Sequence, residues 1–252
     1  MQSMNWFDLS GKVAVVTGGS RGLGREMVLA FADHGADVVI ASRKLDACEA
    51  VAQEVRAKGR RALAVAYHAA SWADADRLAE VAYAEMGRVD VLVNNAGMSP
   101  LYPSVDAIGE DLYDKVMGVN LKGPFRLSAL IGTRMVADGG GSIIMVSSIA
   151  SHRPTPVEVV YGAAKAGINN LTKGLAATFG PTVRVNCIAP GPFLTDISKA
   201  WDLDVFNRQA KAAYALERGG EPHEIVGAAL YFASDASSYT TGAVLDVDGG
   251  PR

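Results

Sequence analysis

Lys12-Val-Ala-Val-Val-Thr17, running directly into Gly18-Gly-Ser-Arg-Gly-Leu-Gly24, is the stretch on which the fold turns. The first six residues are a short, nearly continuous, valine-rich apolar run, the pattern of a parallel strand covered on both faces. The next seven space their glycines as G-x-x-x-G-x-G, and from Leu23 through Met27, Val28, Ala30 and Phe31 the apolar period is helical. The order is therefore strand, glycine-rich turn, helix. Backbone amides of such a turn, together with the helix N-terminus, are able to approach a pyrophosphate.

The same unit recurs along the chain. Residues 36–41, 61–66, 89–93, 142–147, 183–188 and 243–247 read as further strands. Between them lie helical patterns at 45–58, 74–86, about 109–136 with an apparent interruption near Gly123-Pro124, the run carrying Tyr161 and Lys165, and 222–233. Seven strands alternating with six helices predict an α/β fold: one doubly wound (Rossmann) domain over 1–252, its seven-stranded parallel sheet flanked by helices on both faces. Residues 1–10 read as an N-terminal extension and 192–220 as a lid segment.

Composition narrows the function classes. The chain has 252 residues, 49% hydrophobic and 20% charged, which is enough to bury a core, and its 27 glycines signal many tight turns. A net charge of -3 with no charged block gives no reason to expect a nucleic-acid or membrane partner. Cys48 and Cys187 form neither metal-ligand spacing nor a disulfide framework, so no metal is expected and the thiols read as buried and inert. With no signal-like N-terminus and no membrane-length apolar run, a cytoplasmic protein is expected.

In a doubly wound sheet, ligands bind beyond the carboxyl ends of the strands, where the strand order reverses. The chemistry-bearing groups cluster at those ends: the glycine loop after the first strand, Asn94-Asn95-Ala96-Gly97 after the fourth, Ser147-Ser148 after the fifth and Pro190-Gly191 after the sixth. Tyr161 and Lys165 lie four residues apart, on one helical face, where an ammonium favours a phenolate and lowers the tyrosine pKa towards the range of a general acid or base. After the second strand the chain reads Ser42-Arg43, and Arg21 stands in the glycine loop. Two guanidiniums beside an adenosine ribose suit a 2'-phosphate, and therefore NADP(H) over NAD(H), which stays possible.

Thr17-Gly-x-x-x-Gly-x-Gly24, Asn94-Asn-Ala-Gly97, Ser148 and Tyr161-x-x-x-Lys165, with Asn120, Pro190-Gly191, Thr195 and the terminal Asp248-Gly249-Gly250, together resemble the short-chain dehydrogenase/reductase family over essentially the whole chain. Among its members the chain looks like 3-oxoacyl carrier-protein reductases and glucose or polyol dehydrogenases. The resemblance implies that Tyr161 exchanges a proton with the substrate oxygen and that Ser148 hydrogen-bonds that oxygen. It implies that Lys165 holds the nicotinamide ribose and depresses the tyrosine pKa, and that Asn120 anchors a water in the proton relay. Cofactor contacts are expected from Gly18, Ser20, Arg21, Gly22, Leu23, Gly24, Ser42, Arg43, Asn95, Ala96, Gly97, Tyr161, Lys165, Pro190, Gly191 and Thr195. One departure stands out. Where the family carries Asp before an apolar residue, this chain reads His68-Ala69-Ala70, with Ala69 taken as the replaced position.

Met98, His152, Phe193 and Trp201 are expected to border a small-molecule alcohol or ketone. Family resemblance suggests a homotetramer or dimer. Two rival readings are a catalytically silent NADP(H)-sensing regulator and a serine hydrolase built on Ser148. The intact Asn120, Ser148, Tyr161 and Lys165 set argues against the first, and the lack of a nucleophile elbow against the second.

Overall fold

The computed structural model describes residues 5–196, 198 and 202–252. Seven strands form one parallel sheet: β1 (Val13–Thr17), β2 (Asp37–Ser42), β3 (Ala62–Ala66), β4 (Val91–Asn94), β5 (Gly141–Val146), β6 (Val183–Pro190) and β7 (Val244–Val247). Their spatial order is β3-β2-β1-β4-β5-β6-β7, so the winding reverses between β1 and β4. This is the Rossmann arrangement, and the reversal opens a crevice at the carboxyl ends of those two strands.

The apolar runs are continuous because each strand feeds two cores. On β1, Val13 and Val15 face one cluster, shared with α3 (Trp72–Met86), α5 (Gly123–Ala137) and α6 (Val159–Phe179). Ala14 and Val16 face the other, shared with α1 (Gly22–Asp33), α2 (Leu45–Ala57) and α8 (Val226–Ala233). Neighbouring side chains alternate across the pleat, so a strand buried on both faces needs an apolar residue at every position. Leu9 of the expected N-terminal extension is itself buried, and its amide donates to His34 O (2.8 Å).

Two features depart from the sequence reading. The long helix is α4 (Glu110–Met117), a π-helical turn over Gly118–Lys122 and then α5, so the irregularity lies before Gly123-Pro124 and Pro124 takes a first-turn place in α5. Asn120 lies within that turn, its side chain bonding back to Val116 O (2.9 Å) and out to the loop after β4. Within 192–220 there is a further helix, α7 (Leu203–Ala213), so the described residues hold eight α-helices against the six expected.

Candidate active site

The glycine loop is built for a close neighbour. Gly18 and Gly22 sit at φ +67° and +52°, which side-chain-bearing residues rarely adopt. Arg21 precedes α1 without capping it through its side chain, and no acidic residue lies in the first turn. The leading amides of α1 therefore keep both their donors and their positive field for an anion. A methyl on Gly24 would run into Gly18 O and the Asn95 carboxamide.

Thr17 fastens this loop across the switch point. Its hydroxyl donates to Val93 O (3.2 Å) and accepts from the amides of Asn95 (3.0 Å) and Ala96 (3.1 Å). Asn95 returns the contact, with Nδ2 donating to Thr17 O (3.0 Å) and Gly18 O (3.2 Å). Asn95, expected from the sequence as a cofactor contact, and Thr17 both brace the loop. The threonine preceding the glycines was the available signal. Gly191 closes the far side against the backbone of Asp248. Thr195 lies 3.6 Å from where a Cβ on Gly22 would stand, so the segment after β6 folds over the glycine loop.

Arg21 and Arg43 are exposed, and neither pairs with an acidic side chain among the described residues. At the end of β3 the structure separates His68 from Ala69. His68 is exposed with its amide donating to Asp74 Oδ2 (2.8 Å), while Ala69 is buried in the core with its carbonyl pressed on Gly123. The accessible position at this strand end is therefore His68.

Ser148, Tyr161 and Lys165 converge between β5 and α6. Ser148 caps a short 3-10 turn, Ile149–Ser151, by accepting from Ala150 N (3.2 Å), and its hydroxyl stands near enough to the Tyr161 phenol to lower its pKa. Lys165 follows one turn later with its Nζ 5.6 Å from the Tyr161 ring centre. That Nζ donates to Val146 O (2.7 Å), and Ser147 Oγ holds the Lys165 carbonyl (3.0 Å).

Burial dominates both titrations. It pulls the Lys165 ammonium down to about 8 and pushes the Tyr161 phenol up to about 12, against the lowering effect of the Ser148 hydroxyl. The expected depression of the tyrosine by Lys165 is not met: the ammonium is committed to Val146 O, and desolvation of the phenol outweighs its neighbours.

Asn120 is fully buried. Its Oδ1 accepts from Met98 N (3.2 Å) and its Nδ2 donates to Met98 O (2.8 Å), so it grips the loop after β4 from both sides. Among the substrate-bordering candidates, Met98 is half-buried on that loop. The His152 ring is taken up by its own chain, Nε2 lying 3.4 Å from Asp246 Oδ2 and Nδ1 3.2 Å from Ser151 Oγ. Phe193 is a core residue packed on Gly220, because the segment after β6 turns inward there. Trp201 lies outside the described residues.

These features fit a nicotinamide dinucleotide. The glycine loop and uncapped α1 would take the pyrophosphate, Arg21 and Arg43 would flank the adenosine ribose, and Lys165 would sit at the reactive end. No group of metal-ligating side chains occurs among the described residues, and none of their helices is long and apolar enough to cross a membrane.

A family model described as short chain dehydrogenase matches residues 12–205. The chain is 40% identical to an uncharacterized oxidoreductase of Mycobacterium tuberculosis, over 98% of this chain and 94% of that one. It superposes with a TM-score of 0.94 on a 3-oxoacyl (acyl-carrier-protein) reductase from Agrobacterium tumefaciens with NADP bound, 33% identical over 99% of both chains. The same score relates it to a 7 alpha-hydroxysteroid dehydrogenase in complex with NADH and 7-oxo glycochenodeoxycholic acid, 32% identical over 100% of this chain and 98% of that one. A β1-α1 glycine turn, a Tyr161 near Ser148 and one helical turn before Lys165, and these matches lead to one family: the chain belongs to the short-chain dehydrogenases.

Proposed function

We propose that the protein is an NADP(H)-preferring oxidoreductase that interconverts a carbonyl and a secondary alcohol, with Tyr161 as the proton donor and acceptor. The observation that carries this is the largely buried Tyr161 phenol, beside the Ser148 hydroxyl that lowers its pKa and one helical turn from Lys165, at the same sheet edge as the glycine loop. When bound, the nicotinamide supplies or accepts the hydride. In reduction, the Tyr161 hydroxyl gives its proton to the carbonyl oxygen while Ser148 donates to the same oxygen and stabilises the charge developing on it. Lys165 holds the nicotinamide ribose, and the Ser148 hydroxyl is the neighbour that favours the phenolate left behind. Asn120 fixes the loop that borders the substrate and anchors the water through which the proton is replaced.

The direction of the Tyr161 shift sets an expected pH dependence. With the phenol pushed up to about 12, it is protonated throughout the physiological range, so reduction starts from the competent state. Oxidation needs the phenolate, whose fraction rises by at most about tenfold per pH unit below the pKa. Alcohol oxidation is therefore expected to climb from pH 6 to 9 while carbonyl reduction stays flat or falls. Initial rates in both directions across that range check this, and an oxidation rate already level below pH 7 contradicts it.

Preference for NADP(H) rests on the two unpaired guanidiniums, since relatives of this fold bind either NADP or NADH. Parallel assays of a 3-oxoacyl thioester, a ketose and a simple ketone with NADPH and NADH test reaction class and cofactor together. NADPH-linked turnover of at least one carbonyl is expected. A charge-assisted hydrogen bond contributes about 1.5 to 3 kcal/mol. Arg43→Ala should therefore raise the KM for NADPH roughly tenfold to a hundredfold and that for NADH little. Equal changes for both cofactors would sink the assignment. For assembly we propose a homotetramer or dimer, supported by the family resemblance and by the exposed Phe125 on α5.

A further inference from the structure

Tyr102, on the loop after β4, has no part in the chemistry above, yet it touches the catalytic helix. Its hydroxyl donates to Pro156 O (3.1 Å) and accepts from Val159 N (2.8 Å). Val159 is the first residue of α6, two before Tyr161. The residue at the cap position, Glu158, makes no side-chain cap, and its carboxylate instead accepts from Thr155 Oγ1 (2.9 Å). The Tyr102 phenol thus satisfies a leading amide that the local sequence leaves open, a task normally performed by the residue at the helix start.

The latch joins two held pieces. At one end of the loop, Asn120 grips both the amide and the carbonyl of Met98; at the other, Tyr102 grips the start of α6. The Tyr102 ring also lines a small apolar cavity with Val160 and Tyr161, faced by Ile108 and Leu112. With no side-chain cap from Glu158, the bond from Tyr102 is what holds the leading amide of α6.

We propose that Tyr102 is a positioning residue whose hydroxyl latches the first turn of α6 to the loop after β4 and so holds the Tyr161 hydroxyl against Ser148. This rests on Tyr161 being the proton donor. A displacement near 1 Å at a reacting group is enough to slow turnover by up to about a hundredfold.

Tyr102→Phe keeps the ring and removes the latch. Hydrogen exchange of the peptide covering Val159 needs no substrate and reads the latch itself; about tenfold faster exchange is expected, in line with loss of one capping hydrogen bond. With the best carbonyl of the panel above, kcat should fall about tenfold while NADPH affinity, by fluorescence titration, changes less than about twofold. Unchanged exchange at Val159 overturns the latch. Faster exchange with unchanged kcat overturns the positioning role, and so does a loss of NADPH affinity as large as the loss of kcat, which marks a general structural effect. Tyr161→Phe, run in the same assay, separates these outcomes: full turnover there defeats the assignment of the proton donor, whereas full turnover in Tyr102→Phe alone defeats only the positioning role of Tyr102.

Discussion

Tyr161→Phe is expected to lower turnover by about 10² to 10⁴-fold, the range for loss of a positioned general acid, while leaving NADPH affinity nearly intact. The substitution takes away one hydroxyl and keeps the ring that packs beside Lys165. The Lys165 bond to Val146 O and the Ser147 bond to the Lys165 carbonyl do not involve the phenol, so the cofactor end of the site stays in place. Ser148 still donates to the substrate oxygen, which leaves some charge stabilisation without a proton to give. The variant should also lose the rise of alcohol oxidation with pH, because the titrating phenol is gone. Steady-state rates and a cofactor titration on the same preparation check both halves, and turnover like that of the wild type would overturn the mechanism.

Gly24→Ala is expected to weaken NADPH binding by at least about tenfold and to lower stability by about 1 to 3 kcal/mol, the usual cost of overpacking. The added methyl would meet Gly18 O, lie 2.5 Å from Asn95 Nδ2 and lie 2.9 Å from Gly18 C. Gly18 has nowhere to retreat. Its amide donates to Ala41 O (2.7 Å), its carbonyl accepts from Asn95 Nδ2, and its φ of +67° is already one that few alternatives satisfy. The loop must therefore shift, and with it the amides offered to the pyrophosphate. Gly174→Ala is the control. That glycine lies mid-α6, where a Cβ meets nothing within 4 Å, so the change should be neutral or stabilising by up to about 1 kcal/mol. Denaturant unfolding and a fluorescence titration of both variants decide it; equal behaviour of the two would refute the steric account.

The fold was legible because its rules are local. A valine-rich run, a glycine turn and an apolar helical stripe occupy neighbouring residues from Lys12 to Phe31, and burial on both faces writes a strand as an unbroken apolar run. The placement of Ser148, Tyr161 and the glycine loop at one edge was legible for the same reason, since each follows a strand whose carboxyl end the winding rule assigns to that edge.

What escaped the sequence depends on partners far along the chain. Val159 and Tyr102 are 57 residues apart, and Thr17 and Asn95 are 78 apart, so neither bond leaves a trace in local pattern. Phe193 looked like a lid aromatic until the return of its segment to Gly220 buried it, and His152 looked free for substrate until β7 brought Asp246 beside it. The opening stretch, Lys12 to Gly24, by itself determined a strand feeding a glycine turn and a helix, because dihedral freedom and hydrophobic period are properties of the residues present. Only the tertiary structure decided that Thr17 and Asn95 would bond that turn across the sheet, that Asn120 would grip Met98 from a π-helical turn, and that desolvation would keep Tyr161 protonated. Each of these depends on which distant groups fill the space around a side chain, and packing sets that while sequence spacing does not.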